Sequence, residues 1–165
     1  MDKLLPSDSD MERLLFENRK ALVDSFGSTL RSVLPRCQLQ ISKGEKGQLQ
    51  HIYITFLRTG IITRHPWLRI DLYDENEILD FCECSALWDI PSISQKIYAK
   101  HPLPSSKNDI KRDYEVEKDW IEAGNCFFRV LAKHISGIVQ ESGFKEELHD
   151  VKWHFGEYMG QCQSI

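Results

Sequence analysis

One alternating run near the middle of the chain constrains the fold more than any other feature. Along the run Trp67–Tyr73, three aliphatic side chains recur at every second position: Leu68, Ile70 and Leu72. Successive side chains of a β-strand point to opposite faces of a sheet, so these three share one face. The other face carries Trp67, Arg69, Asp71 and Tyr73. The run therefore predicts a strand that packs one face on a core and keeps the other polar and aromatic.

Neighbouring segments predict further strands. Residues 48–58 are rich in β-branched and aromatic residues on both faces, which is typical of a central strand. The connection at residues 59–66 is too long and too apolar for a tight hairpin. Either the strand continues through it with a bulge at Gly60, or Ile61 and Ile62 close the end of the core. Shorter strands are expected at residues 37–41, 78–87 and 151–155, with polar turns at residues 42–47 and 74–77.

Helical periodicity flanks these strands. Ser9 and Glu12 have the spacing of a capping box, and an apolar stripe then runs to about Leu34, where Pro35 should end the helix. Gly27 interrupts this stripe and is a candidate for a kink or break. Two more helices are expected, a short one at residues 92–100 and a long one at residues 109–142 that Gly143 caps. A Pro- and Ser-containing loop at residues 102–106 separates them.

These elements predict a single α+β domain spanning residues 1–165. Its sheet is expected to be an antiparallel β-meander of three to five strands. An N-terminal helix and a long C-terminal helix would pack against that sheet, burying their apolar stripes on its apolar face.

Composition narrows the class of function. The 165 residues carry a net charge of −4, which argues against binding nucleic acid through its phosphates. The N-terminus lacks the pattern of a secretory signal, and no apolar run approaches the roughly 20 residues that span a bilayer. We therefore expect a cytoplasmic protein that does not associate with membranes. The five cysteines are irregularly spaced, so free thiols are expected.

The polar face of the run Trp67–Tyr73 is the leading candidate for a binding site. Aromatic residues flank Arg69 and Asp71, and Arg58 ends the preceding strand. Such a row suits recognition of a carboxylate, a phosphate or a protein loop. The same pattern is also typical of a solvated outer face with cross-strand ion pairs, and that is the commoner case. The expected binding residues are Arg58, Trp67, Arg69, Asp71 and Tyr73.

Cysteine and histidine residues offer weaker candidates. Cys82 and Cys84 would face the same way in a strand, but no second cysteine pair exists to complete a zinc site, so packed thiols are favoured. The six histidines match no metalloprotease or phosphatase motif, although His149 with Asp150, or His154 with Glu157, could form an acid–base pair. No nucleotide-binding motif is present, and neither a cofactor nor a metal is expected.

Several stretches together resemble a family of small, uncharacterised bacterial cytoplasmic proteins. The stretches that carry the resemblance are Ile54–Thr59, Leu68–Glu75 and Phe155–Met159, with Cys82, Cys84 and Trp88 between them. The resemblance spans residues 48–159. It implies a bacterial, cytoplasmic origin and assigns no activity and no functional residues.

Two hypotheses of function follow. The first is a non-enzymatic protein-binding module, such as an inhibitor, an immunity-type protein or an adaptor, with another protein as partner. The second is a small hydrolase or transferase that uses Arg69, Asp71 and a histidine. A concave pocket in which Arg69 or Asp71 meets His51 or His154 would favour the enzyme. Nucleic-acid binding ranks last on charge, and the sequence gives no indication of oligomeric state.

Overall fold

Helices and strands both contribute to the fold in the computed structural model, which describes residues 7–63, 65, 67–98 and 110–165. The expected loop at residues 102–106 lies outside these ranges. The helices are α1 (Asp8–Glu17), α2 (Arg19–Ser42), α3 (Arg58–Ile62), α4 (Pro91–Tyr98), α5 (Ile110–Glu141) and α6 (Phe144–Glu147). The strands are β1 (His51–Phe56), β2 (Leu68–Tyr73), β3 (Ser85–Trp88), β4 (Lys152–Glu157) and β5 (Cys162–Ser164).

The five strands form one mixed sheet in the order β3-β2-β1-β4-β5. Antiparallel pairs join β1 to β2, β2 to β3 and β4 to β5, whereas β1 and β4 are parallel. The α+β class is therefore confirmed, but the expectation of a purely antiparallel meander is wrong. A parallel pair needs a long crossover, and α4 and α5 both lie between β3 and β4. That crossover brings β4 into the sheet beside the central strand β1.

The strand boundaries differ from the expectation in two places. Strand β1 does not continue past Phe56; the short helix α3 follows it, and Ile61 is buried, as a residue closing the core should be. The strand expected at residues 78–87 is limited to Ser85–Trp88. Before it, a single 3-10 turn at Glu77–Leu79 leads into an irregular loop. The side chains that hold this loop are described with the candidate site.

The N-terminal helix begins and breaks at positions other than those expected. Its capping box uses Ser7 and Asp10, not Ser9 and Glu12: the Ser7 hydroxyl accepts from the Asp10 N–H, and the Asp10 carboxylate accepts from the Ser7 N–H. The break falls at Asn18, between α1 and α2, where the side-chain amide donates to the carbonyl of Leu14 at 2.7 Å. Asparagine competes well for backbone groups in this way, so it ends a helix readily.

Helix α2 continues through Pro35 to Ser42, so the predicted stop and the predicted edge strand at residues 37–41 are both wrong. Proline removes one helical hydrogen bond, which costs about 3 kcal/mol in a helix interior. Burial on both sides of it offsets this loss, since Val33 and Cys37 are 3% and 1% exposed. The alternation was misleading because Cys37 and Ile41, four residues apart, also share one face of a helix.

The core lies between the helices and the apolar face of the sheet. Leu68, Ile70 and Leu72 are each fully buried on that face, as the alternation predicts. The ring of Phe26 in α2 makes an edge-on contact with Trp88, 5.2 Å between centroids, and also approaches Trp153 at 6.3 Å. One side chain of α2 thus touches both β3 and β4.

The expected long C-terminal helix is present as α5. It ends before Gly143, whose φ of 82° is the left-handed conformation expected of a glycine cap. Its Phe128 stacks on Phe56 of β1 with the ring centroids 4.5 Å apart. Although α5 is 32 residues long, neither it nor any other helix in the described ranges is long and apolar enough to cross a membrane.

Candidate functional site

The side of the sheet away from the helices, termed the outer face, gathers polar and aromatic residues from three strands. Strand β1 contributes His51, Tyr53 and Thr55, strand β2 contributes Arg69, Asp71 and Tyr73, and strand β4 contributes His154. Thr55 and Asp71 are only 4% and 2% exposed. The outer face is therefore partly covered by the protein itself rather than simply solvated.

Arg69 organises one half of the outer face. Its Nε donates to both carboxylate oxygens of Asp71, at 2.8 and 3.0 Å, and one Nη donates to Glu83 at 2.7 Å. The guanidinium also lies over the ring of Tyr158, 5.0 Å from its centroid. Burial raises the pKa of Asp71, although Arg69 opposes that shift. Asp71 thus acts as the support that orients Arg69, whose side chain remains 22% exposed.

Two histidines occupy the other half, and the parallel pairing of β1 with β4 brings them together. Nδ1 of His51 lies 3.1 Å from Nε2 of His154. Nε2 of His51 lies 3.3 Å from Glu77, and the Tyr53 hydroxyl donates to the other oxygen of Glu77 at 3.3 Å. The two histidine rings share one hydrogen bond, and the Glu77 carboxylate lies beside the far nitrogen of His51. Glu77, His51 and His154 therefore form one cluster of contacting polar groups.

Aromatic stacking completes this half. The rings of Tyr53 and His154 are nearly parallel, with centroids 4.2 Å apart, and Tyr73 meets Tyr53 edge-on at 5.6 Å. Burial and the nearby Glu77 raise the pKa of Tyr53. Burial, with a further contribution from Asp71, raises the pKa of Tyr73 to about 12. Both phenols are therefore neutral donors at physiological pH.

Residues 74–84 connect β2 to β3 and are termed the acidic loop. A buried ion pair anchors this loop to the rest of the protein. The ammonium of Lys46 contacts the carboxylate of Asp80, with side-chain exposures of 0% and 3%. Lys46 also donates to the carbonyl of Cys82 at 3.0 Å, and Asp80 accepts from the Cys82 N–H at 2.8 Å. The ion pair therefore ties the connection between α2 and β1 to the middle of the loop.

The start of the acidic loop is fixed by Asp74. Its carboxylate accepts from the backbone N–H groups of Gly47 and Asn76, each at 2.9 Å. Burial raises the pKa of Asp74, but these hydrogen bonds outweigh it, and the pKa lies below its usual value. A side chain at Gly47 would collide with the carboxylate of Glu75, so the loop and this glycine approach each other closely.

Glu77 takes a backbone conformation that non-glycine residues rarely adopt, with φ of 52°. The left-handed region costs such a residue about 1–2 kcal/mol. The contacts that hold it there are those of its carboxylate with His51 and Tyr53. The strained turn therefore accompanies the contacts of Glu77 with His51 and Tyr53 on the outer face.

Two large apolar side chains of this anchored loop point into solvent. Leu79 is 71% exposed and Phe81 is 103% exposed; together they are termed the apolar tip. They flank Asp80, which is held in the opposite direction by Lys46. On the neighbouring edge strand, Leu87 lies opposite Arg69 on the outer face and is 55% exposed. Isolated exposed leucines are common, but two such side chains on a loop with buried anchors indicate a contact surface.

Arg58 and Trp67, the remaining expected binding residues, lie at the other end of the sheet from the acidic loop. Arg58 is 75% exposed and forms an ion pair with Glu157, while Trp67 is half-buried beside His65. A cavity of about 580 Å³ lies elsewhere, where α5 faces the hairpin of β4 and β5. None of the five expected binding residues lines it.

The candidate cysteine and histidine residues lie in different parts of the structure. Cys82 and Cys84 lie in the acidic loop and not in a strand; Cys84 is buried against α2, whereas Cys82 is half-buried. His149 pairs with Asp150 at the surface, 3.1 Å apart. Across the ranges that the structure describes, no three His, Cys, Asp or Glu side chains are grouped so as to hold a metal ion.

The sequence hypotheses missed Lys46, Asp80, Glu77 and the apolar tip. Because residues 78–81 are largely apolar, they were predicted to form part of a strand. In a strand, half of these side chains would face the core, so exposed side chains were not expected here. One signal was present: acidic residues interrupt these apolar positions, which is unusual for a strand with a buried face.

Breaking the buried ion pair tests the anchoring of the acidic loop. Lys46→Met leaves the Asp80 carboxylate buried without a counter-charge, and we expect the free energy of unfolding to fall by about 3–5 kcal/mol. Adding Asp80→Asn should restore much of this loss, since the amide oxygen still accepts from Cys82 without a charge. Denaturant unfolding measures both variants. Lys20→Met, in an exposed pair with Asp24, should stay close to wild type; an equal loss there would contradict the account.

The cluster of Glu77, His51 and His154 predicts a pH dependence. Burial, then the neighbouring His51, lowers the pKa of His154 below its usual value of about 6.5. Below pH 6.5 the unfolded chain binds this proton more readily than the folded chain, so stability should fall until the lowered pKa is passed. NMR titration should give His154 a low pKa that His51→Gln raises and His149→Gln does not. An unchanged pKa in His51→Gln would disprove the coupling.

Comparison with known proteins gives no relative. No protein-family model, no curated protein and no solved structure matches this chain. The resemblance to a family of small bacterial proteins therefore stays a prediction. The geometry of the outer face and the acidic loop is the evidence on function.

Proposed function

We propose that this chain is a non-enzymatic protein-binding module, of the inhibitor, immunity or adaptor type. Its binding surface is the apolar tip of the acidic loop together with the adjoining outer face. The observation that carries the proposal is the full exposure of Phe81 on a loop that a buried ion pair anchors to the protein.

Exposure of Phe81 matters because burial of such a side chain is worth about 1.5–3 kcal/mol. Phe81 and Leu79 stay exposed in the folded protein and do not contribute this free energy to folding, whereas Ile70 and Leu72 in the adjoining strand are fully buried. A protein partner that buries Phe81 and Leu79 would gain this free energy on binding. Aromatic and aliphatic anchors of this kind are typical centres of binding energy in protein interfaces.

The anchoring of the loop adds to this argument. Asp74, Glu77, Asp80 and Glu83 each bind a group outside the loop, at Gly47, His51, Lys46 and Arg69 respectively. The loop therefore loses little conformational entropy when a partner binds. Preorganisation of this kind increases affinity without adding contacts.

The outer face supplies the polar part of the proposed surface. Arg69 and Tyr73 are half-buried and present a guanidinium and a phenol beside the loop. Asp71 contributes by orienting Arg69, because both of its oxygens already accept from that side chain. Arg58 and Trp67 lie at the opposite end of the sheet and would be reached only by a large partner.

The alternative hypothesis, a small hydrolase or transferase using Arg69, Asp71 and a histidine, has less support. Asp71 is saturated by Arg69, and the histidines bind each other and Glu77. The 580 Å³ cavity contains none of these residues. The cluster of Glu77, His51 and His154 is a feature that would serve acid–base chemistry.

Affinity capture from the native cell tests the binding module. Phe81→Ser should weaken capture of a specific partner at least about tenfold, as expected for loss of an interface anchor, and should leave the fold unchanged. Phe16→Ser is the matched control, because Phe16 is also exposed, at 82%, but lies on α1. A partner retained equally by both variants, or lost equally from both, would argue against this surface.

A further inference from the structure

The negative charge of this protein is concentrated around the proposed surface. Residues 70–95 contain seven of the 25 Asp and Glu residues and none of the 21 Lys and Arg residues or six His residues. The rest of the chain therefore carries 18 acidic against 21 basic residues. Since the net charge is −4, all of the negative excess comes from residues 70–95, which run from Ile70 in β2 through the acidic loop and β3 into α4.

Three of these seven acidic residues are paired or hydrogen-bonded within the fold. Lys46 neutralises Asp80, Arg69 neutralises Asp71, and backbone N–H groups stabilise Asp74. These three acids are buried or half-buried and help to anchor the loop.

Three other acids of the loop remain partly or fully exposed beside the apolar tip: Glu75, Glu77 and Glu83. Glu83 is 70% exposed and shares Arg69 with Asp71, so one guanidinium faces two carboxylates. Glu77 is 46% exposed, and its contact with His51 is an ion pair only when that ring is protonated. Glu75 is exposed and forms no ion pair within the described residues. Arg36, which donates to the carbonyl of Ser85, offsets only part of the charge of Glu83, so the border of the apolar tip keeps a negative excess.

We propose that the partner is a protein whose contact surface holds an apolar pocket bordered by lysine and arginine side chains. This inference rests on the proposed function and specifies the partner of that same surface. Phe81 and Leu79 would fill the pocket, while the surrounding carboxylates would pair with the basic side chains. Opposite charges at the rim of an interface accelerate association and exclude partners of the wrong charge. The same negative border disfavours nucleic acid and anionic membranes, whose phosphates it would repel.

Selection from a random peptide library on the immobilised full-length protein tests this inference. Peptides that bind wild type but not Phe81→Ser should be enriched in Lys and Arg on either side of an aromatic or aliphatic centre. Binding of the best synthetic peptide should weaken at least about threefold between 50 and 500 mM salt, because rim charges are screened.

Charge variants provide the matched comparison. Glu75→Gln removes one rim charge without touching an anchor of the loop, and should weaken the same peptide by about twofold or more. Glu146→Gln makes the same charge change on α6, where the residue is exposed, and should have no effect.

The outcomes separate the two claims. Peptides that depend on Phe81 but are neutral or acidic, or that bind equally at both salt concentrations, would overturn the basic partner and leave the binding surface intact. Peptides that bind wild type and Phe81→Ser equally would overturn the binding surface itself.

Discussion

The buried ion pair between Lys46 and Asp80 is the interaction on which the candidate site depends. A charge buried without its partner is strongly destabilising, so each of the two residues fixes the position of the other. Lys46 precedes β1 and Asp80 lies in the middle of the acidic loop, so the pair holds that loop against the edge of the sheet. With Asp80 turned inward, its neighbours Leu79 and Phe81 are left outside. The exposed apolar tip is thus a consequence of the buried charge.

The parallel pairing of β4 with β1 has a comparable influence on the other half of the site. It places His154 beside His51 on the outer face, and His51 in turn binds Glu77 at the start of the acidic loop. A purely antiparallel meander would not have brought these histidines together in this register. The crossover through α5 therefore determines both the topology of the sheet and the anchor of the loop.

The sequence predicted the local features well and the long-range ones poorly. Strand β2 followed directly from its alternation, and α5 from its apolar periodicity, because both patterns are repeated over many residues. Pro35 and the acidic loop were misread, since tertiary contacts decided each of them: burial around Cys37 carries α2 past the proline. Lys46 and Asp80 lie 34 positions apart, and no pattern in a single sequence indicates that they meet. Of the five expected binding residues, Arg69, Asp71 and Tyr73 lie together on the outer face, whereas Arg58 and Trp67 lie at the other end of the sheet, and the apolar tip was not foreseen.

The central claim is that the acidic loop is held rigidly while it exposes Phe81. Backbone order parameters from ¹⁵N relaxation of the free protein measure this directly. If the anchors hold the acidic loop rigidly, the order parameters of residues 77–83 should be about 0.85, equal to those of rigid backbone in β1. Values below about 0.6 in the loop, with β1 unchanged, would mean that the anchors do not order it. The exposed phenylalanine would then belong to a flexible segment and not to a preformed binding surface.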